Sequence, residues 1–239
     1  MNPSPPRSAS AVAAPGTPAA TPHADDARSR LLRAAIRLFA QQGYAKTSTR
    51  ELAEAAQVNV AAISYYFGDK AGLYRSAFLE PMDPTEDLAR FTHPQMPLAE
   101  ALAGFYAGFL EPLRHGDEAR WCTKLQLREM LEATGLIDGG LTRSIQPLHD
   151  ALVALLARHL RLLAADAELQ RLALCIEALG VHLHVGLDIN EALVPGVNSG
   201  PGAIDHWHHT LVQAACAMVQ AEARRRGVSL PLESEGKLT

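Results

Sequence analysis

The sequence predicts an all-α protein, with a small N-terminal head and a larger helical body, on three observations. Forty-eight percent of the 239 residues are hydrophobic but only 5% are aromatic, a leucine- and alanine-rich composition that suits helices better than a β-sandwich. Apolar residues recur at steps of three and four through most of the chain. Glycine, serine, asparagine and aspartate stand where helices of that period should start or stop.

In the head, Leu31, Ala35, Leu38 and Phe39 share one face of a first helix, while Arg30, Arg33 and Arg37 fall largely elsewhere. Gly43 ends it, where a left-handed C-cap is cheapest for glycine. Ser48 and Glu51 have capping-box spacing and start a second helix that turns Leu52 and Ala55–Ala56 inward. Asn59 is the expected N-cap of a third helix, Val60 to Phe67, with Ile63 and Phe67 facing the core. After Gly68, Asp69 caps a fourth helix. Two helices around so short a turn make the helix-turn-helix pattern, which can press one helix into a DNA major groove.

Charge divides the chain in the same way. Residues 28 to 75 hold eight Lys and Arg (Arg28, Arg30, Arg33, Arg37, Lys46, Arg50, Lys70, Arg75) against Glu51, Glu54 and Asp69, a net of +5. The whole chain is −4, so the remainder carries −9. A basic module on an acidic body is the footprint of localised nucleic-acid binding; scattered arginines on a solvated surface are the alternative.

Residues 28 to 80 resemble the DNA-binding domain of the TetR family of bacterial repressors. The segments LFAQQGYAKTSTRELAEAA and VNVAAISYYFGDKAGLY carry the likeness, in order and spacing. The resemblance implies that residues 60 to 66 form the recognition helix. Thr47, Thr49 and Arg50 would then meet phosphates, and Ala61, Ala62, Ser64 and Tyr65 would lie along the groove. Tyr66 and Lys70 would clamp the backbone beyond. The family often has tyrosine at the place of Ser64 and histidine at that of Tyr66, so single contacts are less secure than the groove placement. One of Tyr65 and Tyr66 packing against the first helix is the competing reading. The physics agrees with the phosphate sites, because helix N-termini offer unpaired amides and partial positive charge at Ser48–Thr49 and Asp69–Lys70.

The body, residues 81 to 227, follows turns at Pro81–Pro84 and at 93 to 97. Helices are expected from Pro97 to about Leu113, from 117 to 134, from Leu141 to Ala164 with a kink or restart at Pro147, from about Asp166 to about Leu187, and from Ala203 to Arg226. Their apolar stripes include Leu98, Leu102, Phe105 and Phe109, then Trp121, Leu125 and Leu131, then Leu148, Leu152, Leu155 and Leu162. The family resemblance implies a two-fold homodimer through the last two long helices, with Leu179, Trp207, Leu211, Ala214 and Met218 at the interface. The segment 125 to 152 is similar to the effector domain of the CecR-like subgroup. That likeness implies an unidentified small-molecule effector, with Arg128 and Glu129 at or under its cavity; an ordinary charged pair bracing helices is the alternative. Expected walls are Phe105, Phe109, Trp121 and Met130, since such pockets are mostly apolar with a few polar groups.

Residues 1 to 24 are a Pro-, Ala-, Ser- and Thr-rich stretch expected to be a disordered tail, and 228 to 239 a flexible end. Cys122, Cys175 and Cys216 lack paired spacing and read as reduced thiols of a bacterial cytoplasm. His182 and His184 with His206, His208 and His209 raise a metal reading, but HxH spacing points ligands apart on a helix, so neither metal nor cofactor is expected. No nucleophile elbow, phosphate loop or HExxH motif supports an enzyme, and no apolar run reaches membrane-spanning length. A ligand-responsive repressor binding a palindromic operator is the leading expectation; a sequence-indifferent DNA-coating protein and a histidine metalloenzyme are the alternatives.

Overall fold

The computed structural model describes residues 22–81, 88–114, 116–137 and 139–230, which form ten α-helices and no strand. The head holds α1 (Pro22–Gln42), α2 (Thr49–Ala55), α3 (Ala61–Phe67) and α4 (Lys70–Leu79). The body holds α5 (Leu98–Arg114), α6 (Asp117–Leu131), α7 (Gly140–His159), α8 (Ala167–Val185), α9 (Leu187–Leu193) and α10 (Ala203–Arg225). Residues 1–21, 82–87 and 231–239, with the greater part of both expected tails and of the Pro81–Pro84 turn, lie outside the described residues. Residues 22–24 belong to α1, and Val228 and Leu230 pack on the body core.

The head's short helices hold their places by caps rather than by length, since isolated helices of two turns are unstable in water. Gly43 has φ +82° and ends α1. The capping box at α2 is complete: the Glu51 N–H donates to Ser48 Oγ and the Ser48 N–H to Glu51 Oε2. Asn59 Oδ1 accepts from the Ala61 N–H at 2.8 Å, and Asp69 Oδ1 accepts from the Gly72 N–H at 2.6 Å. The inward residues match the periodicity with one exchange, because α2 buries Ala53 and Ala56 and leaves Ala55 exposed. A helix of two turns has one core stripe, and Leu52 with Ala53 and Ala56 completes it.

The head's core does not stop at the end of α4. Leu31, Phe39, Leu52, Ile63, Leu73, Tyr74 and Phe78 pack together with Leu125 of α6 and with Ile137. A second core fills the body around Phe91, Leu102, Phe105, Tyr106, Leu152, Leu156, Ile176, Leu211, Ala215 and Val219. There the Tyr106 hydroxyl donates to the Ile176 carbonyl at 2.9 Å, tying α5 to α8. Arg226 closes the far end by donating to Asp166, the N-cap of α8, at 2.7 and 2.8 Å.

Several helix ends differ from the periodic reading. Helix α6 stops at Leu131, which is 74% exposed rather than inward. Helix α7 runs through Pro147 but ends at His159, and Arg161 takes φ +56°. The helix expected to reach Leu187 breaks at Gly186, and the short α9 leaves at 75° to α8. Among the described residues no single helix is long and apolar enough to cross a membrane.

One contact makes the body's stability depend on pH. The ring nitrogens of His149 on α7 lie 2.8 Å from Glu177 and from Gln170, both on α8. Burial by itself lowers the imidazole pKa, but hydrogen bonds to Glu177 and Gln170 outweigh it and hold the pKa above the ordinary 6.5. A raised folded value means that protonation stabilises the fold. That contribution is complete below the ordinary value and is lost as pH rises through the raised one. Denaturant midpoints taken from about pH 6 to about pH 8 should therefore fall. His149→Gln should flatten that fall, and an equally steep fall in the variant would assign it elsewhere.

Candidate nucleic-acid interface and effector cleft

Helix α3 is fixed from one side and bare on the other. Ile63 is 2% exposed and anchors it in the head core, and Phe67 packs there with the Arg28 guanidinium 5.1 Å from its ring. On the opposite face Ala61 and Ser64 are exposed, and Tyr65 is 80% exposed. Tyr66 is the tyrosine that packs inward, half-buried against the head core with Tyr65 edge-on at 4.8 Å. Ala62 is also half-buried.

Beside this face stand the groups at the helix starts. Arg50 is exposed and Thr49 half-exposed in the first turn of α2. Lys70 begins α4 with its Nζ 4.1 Å over the Tyr44 ring. Partial burial lowers the Lys70 pKa, against the attraction of Glu51. Thr47 is a correction. It is 1% exposed and its hydroxyl donates to the Gly43 carbonyl at 2.8 Å, so it staples the turn after α1 rather than meeting a ligand. Lys46, exposed just ahead of α2, joins these groups; its signal in the sequence is a basic residue one turn before a helix start.

Gly72 sets how closely α4 follows α3. A Cβ there would lie 1.9 Å from the Phe67 carbonyl oxygen, a backbone atom that cannot swing away. Gly72→Ala should therefore force the α3–α4 turn open at a cost of about 3 kcal/mol. Thermal melting should show the loss, and a variant as stable as the parent would mean that the turn relaxes freely.

In the body, a cleft of about 460 Å³ opens between α6 and the α8–α9 break, with Gln41 of α1 at its edge. Trp121 and Arg128 line it, together with Arg120, Lys124, Leu127, His184, Val185 and Asp188. The other expected wall residues are elsewhere. Phe105 is buried among Phe91, Tyr106 and Phe109, and Phe109 lies against Gly180, where an added Cβ would come within 2.8 Å of its ring. Met130 is 47% exposed, away from the cleft. Periodicity marked these as apolar, but which apolar face borders a cavity depends on how the helices cross.

Arg128 and Glu129 take different roles on adjacent faces of α6. Arg128 faces the cleft, reaches Glu132 at 3.3 Å and covers the Gly43 turn, where an added Cβ would meet its Nη1 at 2.8 Å. Glu129 is 4% exposed. It accepts the Tyr74 hydroxyl of α4 at 2.6 Å and the N–H and hydroxyl of Thr134 at 3.0 Å each. Burial, then the bond to Glu129, raises the Tyr74 pKa well above its ordinary value, so the phenol stays a donor. Arg37 of α1 adds a cation 5.9 Å over the Trp121 ring. One helix thus forms a cleft wall and grips the head at α1, at α4 and at the turn before α2.

Two of the body's histidines meet backbone carbonyls of α5. The His184 and His208 Nε2 atoms lie 2.7 and 2.8 Å from the Phe109 and Ala103 carbonyls. Of the expected interface residues, Leu211 is 4% exposed and belongs to the protomer's own core. Leu179, Trp207, Ala214 and Met218 are half-buried, and Trp207 Nε1 donates to the Val197 carbonyl and Asn198 Oδ1.

Comparison with known proteins agrees with this geometry. Residues 31–77 match the profile of bacterial regulatory proteins of the tetR family, and residues 98–221 that of the C-terminal domain of the HTH-type transcriptional dual regulator CecR. CecR of Shigella flexneri is 32% identical over 152 residues, spanning 59% of this chain and 67% of CecR. The probable HTH-type transcriptional regulator YttP of Bacillus subtilis (strain 168) is 43% identical over 65 residues, which is 26% of this chain and only 31% of that relative. Two solved structures share the fold. The hemolysin II regulator HlyIIR has a TM-score of 0.58 at 19% identity, over 80% of this chain and 97% of that one. A tetR-family regulator from Rhodococcus RHA1 has a TM-score of 0.60 at 19% identity, over 81% and 96%. These relatives are regulators rather than enzymes, and the chain belongs to the TetR family of bacterial transcriptional regulators, with a CecR-type C-terminal domain.

Proposed function

We propose that the protein is a cytoplasmic, ligand-responsive repressor that binds a palindromic operator as a homodimer. The observation that carries this reading is the bare face of α3, where Ala61, Ser64 and the 80% exposed Tyr65 stand free while Ile63 anchors the helix. Small side chains at Ala61 and Ala62 let the backbone approach base edges, and Tyr65 reaches a base or phosphate. Thr49, Arg50 and Lys70, with Lys46, neutralise phosphates, and Tyr66 braces the backbone beyond the groove.

Dimerisation is supported by apolar surface that one protomer leaves uncovered. Leu174 on α8 is 55% exposed, and Ile189, Leu193 and Val194 at α9 range from 57% to 75%. Several large apolar side chains left in solvent on α8 and at α9 favour an interface there. Leu179, Trp207, Ala214 and Met218 then contribute their half-exposed edges. The effector occupies the α6 cleft, and it shifts DNA affinity only through its preference for one arrangement of the head over another.

Selection from random DNA should return an inverted repeat, bound by a species of twice the protomer mass in light scattering. With Lys46, Arg50 and Lys70 from each protomer on phosphates, log affinity should fall with log salt at a slope of about −5. A steep slope without any preferred site would instead identify a DNA-coating protein. CecR is named a dual regulator, so reporter assays at a selected site should be read for both directions: repression is expected, and activation would overturn the repressor reading.

A further inference from the structure

We infer that the α6 cleft takes an organic molecule with a single negative charge and a flat apolar body, held between Arg120, Lys124 and Trp121. This deepens the effector reading above and rests on it. Arg120, Lys124 and Arg128 follow one another at four-residue steps, so the three cations form a row along one face of α6, and all three line the cleft. Arg128 has Glu132 at 3.3 Å. Among the described residues, Arg120 and Lys124 make no ion pair. Like charges at this spacing destabilise a helix, and an anion between them relieves that repulsion.

Trp121 supplies the flat surface. Arg37 already stands 5.9 Å over its ring, and Leu127, Val185 and Leu187 extend the apolar lining. Across the cleft, burial lowers the His184 pKa, the Phe109 carbonyl opposes this, and the charge of Arg120 lowers it further. His184 is thus a neutral wall close to Arg120 and adds no further cation to the row.

The acidic residues limit the class. Asp117, Glu132 and Asp188 also line the cleft, so its charged residues balance three against three. A balanced site exerts little long-range pull on a polyphosphate, whereas direct pairing at Arg120 and Lys124 remains available to one carboxylate or sulfonate. The volume of about 460 Å³ suits a molecule of drug size.

The test uses two dyes on the full chain: 8-anilinonaphthalene-1-sulfonate and N-phenyl-1-naphthylamine, which has the same rings without the sulfonate. The chain has two tryptophans, so Trp207→Phe leaves Trp121 as the sole energy donor. Should Trp207→Phe unfold the chain, the transfer lost from the parent on Trp121→Phe reports the same thing. The sulfonate should quench Trp121, bind about tenfold more tightly than the neutral dye, and weaken about tenfold in Arg120→Gln/Lys124→Gln with circular dichroism unchanged. Equal affinity of the two dyes, or a double variant that binds the sulfonate as the parent does, overturns the anion class and leaves an apolar effector cleft standing. No transfer from Trp121 to either dye overturns the site itself. The DNA experiments above decide the regulator reading separately.

Discussion

Tyr65→Ala should abolish specific operator binding while leaving the melting temperature within about a degree of the parent. The side chain is 80% exposed, and its ring contact is the edge-on one with Tyr66 at 4.8 Å, so its loss removes little packing. Surface substitutions of this kind change stability by about 0.5 kcal/mol or less. A contact to a base edge is worth roughly 1–3 kcal/mol, and a two-fold complex loses it twice. Affinity should therefore fall roughly a hundredfold or more, measured by fluorescence anisotropy on a selected operator. Unchanged affinity would remove α3 as the recognition helix. A parallel fall in melting temperature would show instead that Tyr65 serves the fold.

Glu129→Ala should have the largest effect on stability of any single polar change at the junction of head and body. It leaves the Tyr74 hydroxyl and the Thr134 N–H, both turned toward a buried carboxyl, without their acceptor. Two such orphaned donors cost about 2–5 kcal/mol together. In a chain of this size that lowers the melting temperature by roughly 5–15 °C. Tyr74→Phe separates the link from the packing, because it keeps the ring edge-on to Phe39 and Tyr44 and removes only the hydroxyl. It should cost about 1 kcal/mol. If the bond between α4 and α6 carries the effector's signal, Tyr74→Phe should also shrink the ligand-induced change in DNA affinity while basal binding holds. A response of full size in that variant would show that α6 moves the head through α1 and the Gly43 turn instead.

Much of the head was legible because its signals are local. The box at Ser48 and Glu51, the Asp69 cap and the glycine at position 43 each act within four residues, and all three have the geometry that their spacing implied. Thr47 was misplaced because a threonine ahead of a helix start can face phosphate or its own turn. Only the approach of the Gly43 carbonyl decides between them. Gly72 carried no visible signal, since its need is for space against Phe67 and not for an unusual φ.

In the body, helical periodicity found the long elements but neither the break at Gly186 nor the cleft. The pattern in α8 and α9 is continuous in hydrophobicity, and Gly186, at φ −93°, does not take the left-handed cap of a usual helix stop, so the turn of 75° is not announced. Phe105 and Met130 were candidates for a cavity on size and apolarity alone, yet one is buried in the body core and the other faces solvent. Nothing in the sequence singles out Arg120 and Lys124, because a cation on a helix surface is usually just solvated. What distinguishes them is the opposite wall at His184 and Asp188, about sixty residues away in the chain.

The sequence by itself determined the all-α class, the caps, the order of the head's four helices and the family, because each rests on neighbours within one or two turns or on a motif read in order. Tertiary structure alone decided that α6 shares the head's core through Leu125, that Glu129 is buried against Tyr74, and that cations and Trp121 line a cleft. The reason is physical: a helix's period states which residues share a face, but only the crossing of helices distant in sequence states what that face meets.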